Sequence, residues 1–541
     1  MKKSKLAMAE EEVEPAEDAT ALDTGFPVVG IGASAGGLAA FEAFFAGMPA
    51  DVEPGMAFVL VQHLAPDHKS ILTDLIRRYT RMQVFEVEDG MKVNINCAYI
   101  IPPGYDMAFL NGCLHLLEPA SPRGQRLPID FFFRSLAQDQ RERSIAIVLS
   151  GTGSDGSLGV RAIKGEAGMV MVQSPESSEY DGMPRSAIAT GMVDFELPPA
   201  EMAASLISYA AHAFGKVPLE TITTTANVNS IKKVFILLRD QTGHDFSQYK
   251  PNTIMRRIER RMAVHQIDRL DAYVKYLQSA SDEVQALFRD MLIGVTNFFR
   301  DPEAFAALEE SAIPKLFEGK STGSVIRGWV PGCSTGEEAY SLAMLLVEYM
   351  GKLKKSFSLQ IFATDIDPLA IAVARAGVYP ASIAADITSE RLARFFSVEP
   401  AGEDGPPLSY RINKNLRDVL ILSEQDVIKD PPFSKLDIIS CRNLMIYLNG
   451  ELQKKLVPLF HYALNPGGML FLGTSETVGE FVDLFGVVDR KAKLYQCKRN
   501  SLGVRYMALG GFLPPLATSV TSSPRPTAKK GKLTARPRCG Y

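Results

Sequence analysis

The sequence predicts an α/β protein with two doubly wound parallel sheets and a small all-helical subdomain between them. Residues 25–215 and 301–498 each alternate short apolar runs with helix-like stretches, the pattern of parallel strands joined by crossover helices. Residues 231–300 instead keep a helical period and contain no strand-like run. A chain of 541 residues has room for about three to five domains, which accommodates this division.

Composition excludes several classes of protein. Hydrophobic residues make up 46% of the chain and charged residues 22%, so most of it can bury a core and wholesale disorder is excluded. The net charge of −4 gives no overall attraction to nucleic acid or anionic lipid. The six cysteines show no C-x-x-C spacing, which argues against a disulfide framework or a thiolate zinc site and favours the cytoplasm; no metal site is predicted. No apolar run reaches about 18 residues, so membrane insertion is not expected.

Polar segments flank and divide the predicted domains. The acidic run before the first strand and the Lys/Arg-rich run at the other end are both expected to be disordered. A Thr-rich polar stretch predicts a linker, and the halves it joins are expected to stay folded and active when separated. The predicted order is an acidic leader (1–24), a first α/β domain (25–215), the linker (216–230), a helical subdomain (231–300), a second α/β domain (301–498) and a basic tail (499–541).

A serine occupies a sharp turn after the first predicted strand. The strand Val28–Ile31 runs into a glycine-rich turn that holds Ser34 and then into a helix, which exposes the hydroxyl at a helix start. Residues 30–35 also fit the dinucleotide fingerprint G-x-G-x-x-A, so this turn alone leaves both functions open. The next strand ends at His63 rather than at the Asp or Glu that would bind a ribose. A histidine at that position favours a hydrolase.

A third polar residue follows the strand Ile145–Leu149. Asp155 lies just beyond the carboxyl end of that strand, and ligands of open α/β sheets bind along this edge. Ser34 as nucleophile, His63 as general base and Asp155 as the group that orients the imidazole therefore form a candidate triad. Each residue alone is compatible with an ordinary structural role, since serines are common in turns and a single histidine is more often structural.

These segments resemble the signatures of the CheB-type chemotaxis protein-glutamate methylesterases. The matching stretches are residues 31–37, 62–63 and 149–156. The resemblance implies hydrolysis of receptor glutamate γ-methyl esters by Ser34, His63 and Asp155, and glutamine deamidation as a further family activity. Thr152 stands where the family commonly has Met, at a position associated with the oxyanion hole. Only the acidic leader precedes this domain, so no receiver domain is expected in the chain.

A second glycine turn predicts a nucleoside site. The strand Val325–Val330 leads into a turn that ends at Gly336, and the following strand ends at Asp365, which suits hydrogen bonds from a ribose diol. No G-K-[ST] motif is present, and the acidic Glu337 and Glu338 follow the turn, which disfavours a phosphate clamp. The pattern therefore favours S-adenosylmethionine over a nucleoside triphosphate.

An alternative substrate is suggested by residues 430–433. Their sequence Asp-Pro-Pro-Phe resembles the D-P-P-[YF] motif of amino-directed DNA methyltransferases. In those enzymes the motif follows a strand, whereas here it precedes the strand Leu436–Ser440. The exit of that strand is residues 441–447, so the substrate-side loop is expected there, and no nucleic acid partner is predicted.

The second half resembles the CheR-type chemotaxis protein-glutamate O-methyltransferases over residues 230–498. The matching segments are residues 296–301, 334–338, 363–367 and 441–447. The resemblance implies transfer of a methyl group from S-adenosylmethionine to receptor glutamates, with Arg300 and Tyr447 positioning the glutamate; a purely structural Tyr447 remains an alternative. The donor contacts that it implies are Thr296, Arg300, Glu338, Asp365, Asp426, Val427, Arg442 and Asn443. The family commonly has Asn where Gly294 stands.

Together these patterns predict a bifunctional signalling enzyme that writes and erases methyl esters on glutamates of methyl-accepting chemoreceptors or receptor-like proteins. Methyl transfer to a carboxylate needs no general base, so that step should depend on alignment and desolvation. The basic stretch Arg256–Arg261 is expected to face an acidic receptor, with a solvated helix face as the alternative. The rival functions are a chain with one degenerate half and a non-catalytic receptor-binding adaptor.

Overall fold

The computed structural model describes most of both predicted α/β domains and of the helical subdomain. The acidic leader, residues 216–224 of the linker and the basic tail beyond residue 499 lie outside the described residues. No helix within the described ranges is long and apolar enough to cross a membrane. The described ranges are 25–49, 52–63, 72–119, 126–215, 225–292, 294–353, 355–400 and 407–499.

The first α/β domain is built on a parallel sheet with the strand order β10-β9-β8-β1-β2-β5-β3. A separate small antiparallel sheet has the order β4-β7-β6, and the sequence analysis did not predict it. The strands are β1 (Val28–Ala33), β2 (Ala57–Gln62), β3 (Gln83–Glu86), β4 (Met91–Lys92), β5 (Cys97–Ile100), β6 (Asp106–Leu110), β7 (Cys113–Leu117), β8 (Ser144–Val148), β9 (Met169–Gln173) and β10 (Phe195–Leu197). The helices are α1 (Gly37–Ala46), α2 (Leu72–Tyr79), α3 (Pro128–Gln140), α4 (Ser157–Gly165), α5 (Gly182–Ile188) and α6 (Pro199–Phe214).

Both faces of this sheet are covered, as the continuous apolar runs predict. Alternate residues of β1 pack in opposite directions: Val29 and Ile31 join a core with α1 and α6, whereas Val28 joins a core with α3 and α4. A parallel sheet buried on both faces is the doubly wound arrangement. The fold class predicted for this half is confirmed.

The helical subdomain has its own core. Leu238, Ile258, Tyr273 and Leu287 are among its buried residues. Its first helix begins at Thr225, inside the predicted linker. Residues 225–230 contain no Gly or Pro, so nothing in this stretch prevents the helix from extending into it. The helices are α7 (Thr225–Thr242), α8 (Pro251–Val264), α9 (Leu270–Ser279) and α10 (Ser281–Met291).

The second α/β domain is built on a sheet with the order β16-β12-β11-β17-β18-β20-β19, parallel except for the last two strands. A separate antiparallel sheet, β13-β15-β14, was not predicted. The strands are β11 (Val325–Pro331), β12 (Ser358–Asp365), β13 (Val378–Pro380), β14 (Phe396–Pro400), β15 (Pro407–Ile412), β16 (Leu420–Glu424), β17 (Leu436–Cys441), β18 (Leu464–Leu472), β19 (Phe485–Asp489) and β20 (Leu494–Cys497). The helices are α11 (Pro302–Ala307), α12 (Ile313–Phe317), α13 (Glu337–Lys352), α14 (Pro368–Ala376), α15 (Ser389–Phe395), α16 (Lys414–Arg417) and α17 (Gly450–Ala463).

The basic stretch of α8 packs against the first α/β domain. Arg257, Arg260 and Arg261 are buried, and their spacing of three and four residues places them on one face of the helix. The expectation that the stretch faces a receptor is therefore wrong for these three residues, because that face is already covered. The side chain of Arg256 lies outside this buried face and is 57% exposed. Its Nη1 lies 3.7 Å from the Glu142 carboxylate.

Candidate active sites

A histidine and a buried aspartate form a pair at the carboxyl edge of the first sheet. Nε2 of His63 donates to the Asp155 carboxylate at 2.7 Å. The same carboxylate accepts the backbone amides of Ile129 at 3.0 Å, Asp130 at 2.8 Å and Gly156 at 2.9 Å. These donors fix the carboxylate, which in turn orients the ring. The contact to Nε2 leaves Nδ1 as the ring atom that can accept a proton from a nucleophile.

Ser34 lies at the same edge, directly after β1. The register of β1 and β2 pairs Ala33 with Gln62, so Ser34 and His63 are the next residues on neighbouring strands. The Ser34 amide donates to the carbonyl of Ser150 at 3.0 Å, which ties the turn to the end of β8. The strand ends thus place Ser34 and His63 at one sheet edge, where the His63 ring contacts Asp155. Among the described residues, no hydrogen bond joins the Ser34 hydroxyl to the His63 ring. Residues 64–71, which follow His63 in the chain, lie outside the described part.

A glycine permits the close packing around the serine. A Cβ built on Gly151 would lie 2.2 Å from Sδ of Met183 and 3.0 Å from Cβ of Ser34. Only a residue without a side chain fits between these two atoms without displacing one of them. The sequence gives no signal for Met183, because it lies on α5, more than a hundred residues after Ser34.

Two further carboxyl groups lie near the pair. Burial raises the pKa of Asp106, and the charge of Asp155 adds to that rise, whereas Arg126 opposes it. Burial likewise raises the pKa of Asp130 well above its usual value, and Asp155 raises it further. Neither residue belongs to a recognisable motif, since both come close to Asp155 only through the fold.

A cavity lies at the carboxyl ends of β11, β12 and β17. Its cavity volume is about 100 Å³, and it opens to solvent. The carboxylate of Asp365 accepts the backbone amides of Ser334 at 2.7 Å and of Asp367 at 3.0 Å, which holds it at the end of β12. Residues that line the cavity include Gly294, Gly332, Ser334, Asp365, Asp426, Val427, Asn443 and Tyr447.

The other predicted donor contacts lie outside this lining. Arg442 is fully buried, and its Nη2 donates to the Asp301 carboxylate at 2.7 Å. Arg300 donates through Nη1 to the carbonyl of Val295 at 2.7 Å, in the loop that also carries Thr296. The carboxyl of Glu338 accepts from the Ser440 hydroxyl at 2.6 Å. Burial raises the pKa of Glu338 to about 7, although the nearby Arg442 lowers it.

Buried polar atoms beside the cavity fit a polar ligand. Oδ1 of Asn443 and two guanidinium nitrogens of Arg442, Nε and Nη1, have no hydrogen-bond partner within the described part of the chain. Buried polar atoms in native proteins normally have a partner, so the oxygen of Asn443, which lines the cavity, indicates a group that completes it on binding. The polar amino-acid and ribose portions of S-adenosylmethionine supply such groups. The Arg442 guanidinium, outside the lining, packs against the rings of Phe305 and Phe471.

The loop after β17 depends on a glutamate that the sequence analysis missed. Glu476 accepts the backbone amides of Gly473 at 2.7 Å, Asn443 at 3.0 Å and Met445 at 2.7 Å. Burial raises the pKa of this carboxyl, and the amides oppose the rise. Its position shortly after β18, at the same sheet edge, is the only signal the sequence offers. The loop places Tyr447 in the cavity lining, while the Tyr447 carbonyl accepts the Lys250 amide at 2.9 Å.

Comparison with known protein families identifies both halves. The model of the CheB methylesterase matches residues 29–206, that of the all-alpha domain of the CheR methyltransferase matches residues 229–292, and that of its SAM-binding domain matches residues 294–494. The chain belongs to the CheB methylesterase and CheR methyltransferase families. The matched SAM-binding domain contains most of the residues that line the cavity, and its cofactor is S-adenosylmethionine, the methyl donor.

Individual proteins are similar to parts of this chain. A 104.1 kDa protein of Rhodobacter capsulatus, described as uncharacterized, is 36% identical over 79% of this chain, and the chain spans 46% of that relative's length. The putative methyltransferase Cher3 of Pseudomonas putida is 35% identical over 44% of this chain and 84% of its own length. The crystal structure of the Thermotoga maritima CheB methylesterase catalytic domain is 28% identical over 34% of this chain and 97% of its own, with a TM-score of 0.32.

Proposed function

We propose that this chain both methylates and demethylates glutamate side chains of methyl-accepting chemoreceptors or receptor-like signalling proteins. The observation that carries the proposal is the presence of two built sites in one chain: the His63–Asp155 pair beside Ser34, and the donor cavity around Asp365. The described cysteines are free, which suits a chain acting in the cytoplasm, where receptor signalling helices are accessible.

In the proposed hydrolysis Ser34 is the nucleophile. Its oxygen attacks the ester carbonyl carbon while His63 takes the hydroxyl proton, and Asp155 stabilises the imidazolium. The proton then passes to the departing methoxide, which leaves as methanol. Water, activated by His63, releases the glutamate carboxylate and restores Ser34. With a glutamine side chain the same steps release ammonia, which is the proposed deamidation.

In the proposed methyl transfer the chain binds the methyl donor and aligns it with the acceptor carboxylate. S-adenosylmethionine supplies an activated methyl group on its sulfonium, and Asp365 accepts hydrogen bonds from its ribose hydroxyls. Arg300 and Tyr447 orient the acceptor carboxylate, and the surrounding apolar side chains exclude water. The remaining residues proposed to hold the donor are Thr296, Arg300, Glu338, Asp426, Val427, Arg442 and Asn443.

The decisive experiment follows a label on the methyl group. Receptor-containing membranes are incubated with S-adenosylmethionine labelled at that group, and released methanol is trapped. We expect Ser34→Ala to accumulate label without methanol and Asp365→Ala to incorporate little. Equal labelling by wild type and Ser34→Ala, with no methanol from either, would refute the esterase on that substrate and favour the receptor-binding adaptor.

A further inference from the structure

An arginine of the methylesterase domain contacts the glycine turn beside the methyl-donor cavity. Arg161 lies on α4, and its Nη1 donates to the Thr335 hydroxyl at 3.2 Å and lies 3.6 Å from the Glu337 carboxylate. The Arg161 side chain is 13% exposed and that of Glu337 is 5% exposed, so little water reaches the pair. Thr335 directly follows Ser334, which lines the cavity. The two catalytic domains therefore share a buried polar contact beside the methyl-donor site.

The helix that carries Arg161 is itself fixed by the other half of the chain. Arg257 of α8 donates from Nη1 to the carbonyl of Lys164 and from Nη2 to that of Gly165, both at 2.9 Å. The last carbonyls of a helix have no partner within it, so this guanidinium completes the end of α4. Lys164 and Gly165 follow Arg161 by three and four residues, which places all three on one face of the helix. That face packs against the methyltransferase half and holds Arg161 toward it.

The turn that Arg161 contacts has a strained backbone. Ser334 has a φ of 48°, in the left-handed region. A residue with a side chain costs about 1–3 kcal/mol in such a conformation and keeps it only when its surroundings impose it. The Ser334 amide donates to the Asp365 carboxylate at 2.7 Å, and the Tyr379 hydroxyl donates to the Thr335 carbonyl at 2.7 Å. The Arg161 contact adds a restraint on this turn that comes from the other catalytic domain.

The Thr335 hydroxyl links Arg161 to the first residue of α13. It accepts the hydrogen bond from Arg161 and donates its own hydrogen to the Glu337 carboxylate, whose two oxygens lie 2.7 Å and 2.9 Å away. Burial raises the pKa of Glu337, whereas the charge of Arg161 and the hydrogen bond from Thr335 lower it. A buried carboxylate that loses its cation is strongly destabilising, so we expect the turn and the start of α13 to rearrange without Arg161.

A second segment of the cavity lining also contacts the methylesterase domain. A Cβ built on Gly165 would lie 2.2 Å from Cγ2 of Val295, and Cε of Met192 lies 3.5 Å from the position a Cβ would take on Gly294. Gly294 lines the cavity, and its carbonyl accepts the Ser334 hydroxyl at 3.3 Å. This hydrogen bond joins the two lining segments, so a displacement of the turn at Ser334 would affect both.

We propose that Arg161 is a positioning residue of the methyltransferase, which holds the turn of residues 332–336 in the conformation that binds S-adenosylmethionine. The inference rests on the proposed methyl-transfer function and adds to it a residue from outside the matched methyltransferase domains. Arg161 acts on the methyl donor through Thr335 and Glu337. Affinity for the methyl donor is then a property of the whole chain, and a methyltransferase half cut free at the linker binds it more weakly, in contrast to the activity expected of separated halves.

Binding of S-adenosylhomocysteine to the full-length chain tests the proposal. Arg161→Met removes the charge and keeps the apolar stem, and the control is Arg256→Met, because Arg256 also pairs with a carboxylate of the other half but on an exposed surface. We expect Arg161→Met to raise the Kd from calorimetric titration about tenfold, since a smaller fraction of the chain holds the binding conformation. Arg161→Lys, which keeps a cation beside Glu337, should recover part of the loss and carries the test if Arg161→Met does not fold. Arg256→Met should match the wild type, and an unchanged Kd in both Arg161 variants overturns the proposal.

Steady-state methylation separates positioning from a general loss of stability. In a Ser34→Ala background, in which no label is removed, Arg161→Met should raise the KM for S-adenosylmethionine with little change in kcat. A fall in kcat at unchanged KM would instead report a loss of active protein and overturn the proposal. If the chain binds S-adenosylhomocysteine as expected but does not label receptor membranes, the proposed function fails and the positioning role of Arg161 stands.

A double variant tests whether Arg161 acts through the threonine. Thr335→Val removes the same hydrogen bond from the other side and should also raise the Kd for S-adenosylhomocysteine. Because the two residues share one contact, the double variant should bind about as weakly as the weaker single variant. Additive losses in binding free energy would show that Arg161 does not act through Thr335 and would overturn the proposed mechanism.

Discussion

The two catalytic halves use the same backbone device with different chemistry. In each, a buried strand flanked by parallel neighbours ends in a turn whose last glycine, Gly36 or Gly336, has a positive φ of 72° or 95° and starts a helix. In the first half the adjacent strand leads to His63, and in the second it ends at Asp365. The glycine turn alone therefore leaves the reaction open, and the residue at the end of the neighbouring strand distinguishes the two.

The sites also differ in how complete they are. Backbone amides already satisfy the Asp155 carboxylate, so the hydrolytic pair is assembled without a ligand. Beside the donor cavity, polar atoms of Arg442 and Asn443 lack partners among the described residues. Mutations in the first site should therefore act mainly on the rate of chemistry, and mutations in the second mainly on ligand affinity.

The largest expected effect comes from Asp155→Asn. The amide cannot stabilise the imidazolium and presents the wrong hydrogen-bonding group to Nε2, so we expect methanol release to fall about 10⁴-fold in kcat. Asp106→Asn is the control, because that carboxyl is near the pair and the His63 ring bonds to Asp155 instead; it should keep the rate within about tenfold. A similar loss in both variants would contradict the assigned roles.

Asp365→Asn should weaken the donor site and spare hydrolysis. The amide keeps one acceptor oxygen but loses the charge that favours hydrogen bonds from the ribose, so we expect S-adenosylhomocysteine to bind about 30-fold to 100-fold more weakly. Calorimetric titration measures the affinity, and methanol release from methylated membranes provides the internal control. Unchanged affinity would remove Asp365 from the ligand contacts.

Gly151→Ala tests the packing beside the nucleophile. The new methyl group collides with Met183 and presses on Ser34, so we expect a loss of about 1–3 kcal/mol in unfolding free energy and about tenfold in hydrolysis. Combining it with Met183→Ala opens the space and should recover part of both losses, as measured by urea unfolding and methanol release. An additive double variant would show that the two residues do not share this contact.

The smallest expected effect is a pH dependence carried by Glu338. The pKa is raised to about 7 in the folded chain from an ordinary value of 4.5, so protonation stabilises the fold. That contribution is complete below about pH 4.5 and is lost as the pH rises through about 7. Glu338→Gln should remove this loss, about 1–2 kcal/mol between pH 5 and pH 8 in denaturant unfolding. If the unfolding free energies of the wild type and of Glu338→Gln depended on pH in the same way, this prediction would be contradicted.

The sequence was sufficient for elements whose pattern is local. The runs around β1, β2 and β8 are almost continuously apolar because both sheet faces are buried, and the polar residues at the end of each run mark the ligand edge. Placing Ser34, His63, Asp155 and Asp365 at those edges needed no more than this. The small sheet β13-β15-β14 was missed because its short strands lie between helices and carry no clear alternation.

What the sequence could not supply are contacts between distant segments. The Glu476 carboxylate accepts a hydrogen bond from the backbone of the loop that carries Asn443, and Asp130 lies near Asp155. In both cases the two segments are distant in sequence and meet only in the folded sheets. In the sequence, the arginines of α8 form a basic helix face. The same pattern is expected whether that face contacts solvent, a receptor or another domain of the chain. The carbonyls of Lys164 and Gly165 that decide this are backbone atoms, which sequence patterns do not distinguish.

The covered arginine face also bears on work with separated halves. A methyltransferase half cut free at the linker would lose the first-domain partners of Arg257 and Arg260, whereas Arg261 would keep its contact with Glu283 of the same half. The uncovered guanidiniums of Arg257 and Arg260 would attract polyanions in general, including nucleic acid and acidic lipid. Tight, salt-sensitive binding by such a fragment would therefore report the arginines exposed by the cut and not a receptor-binding site. Affinity for a receptor should be determined on the intact chain.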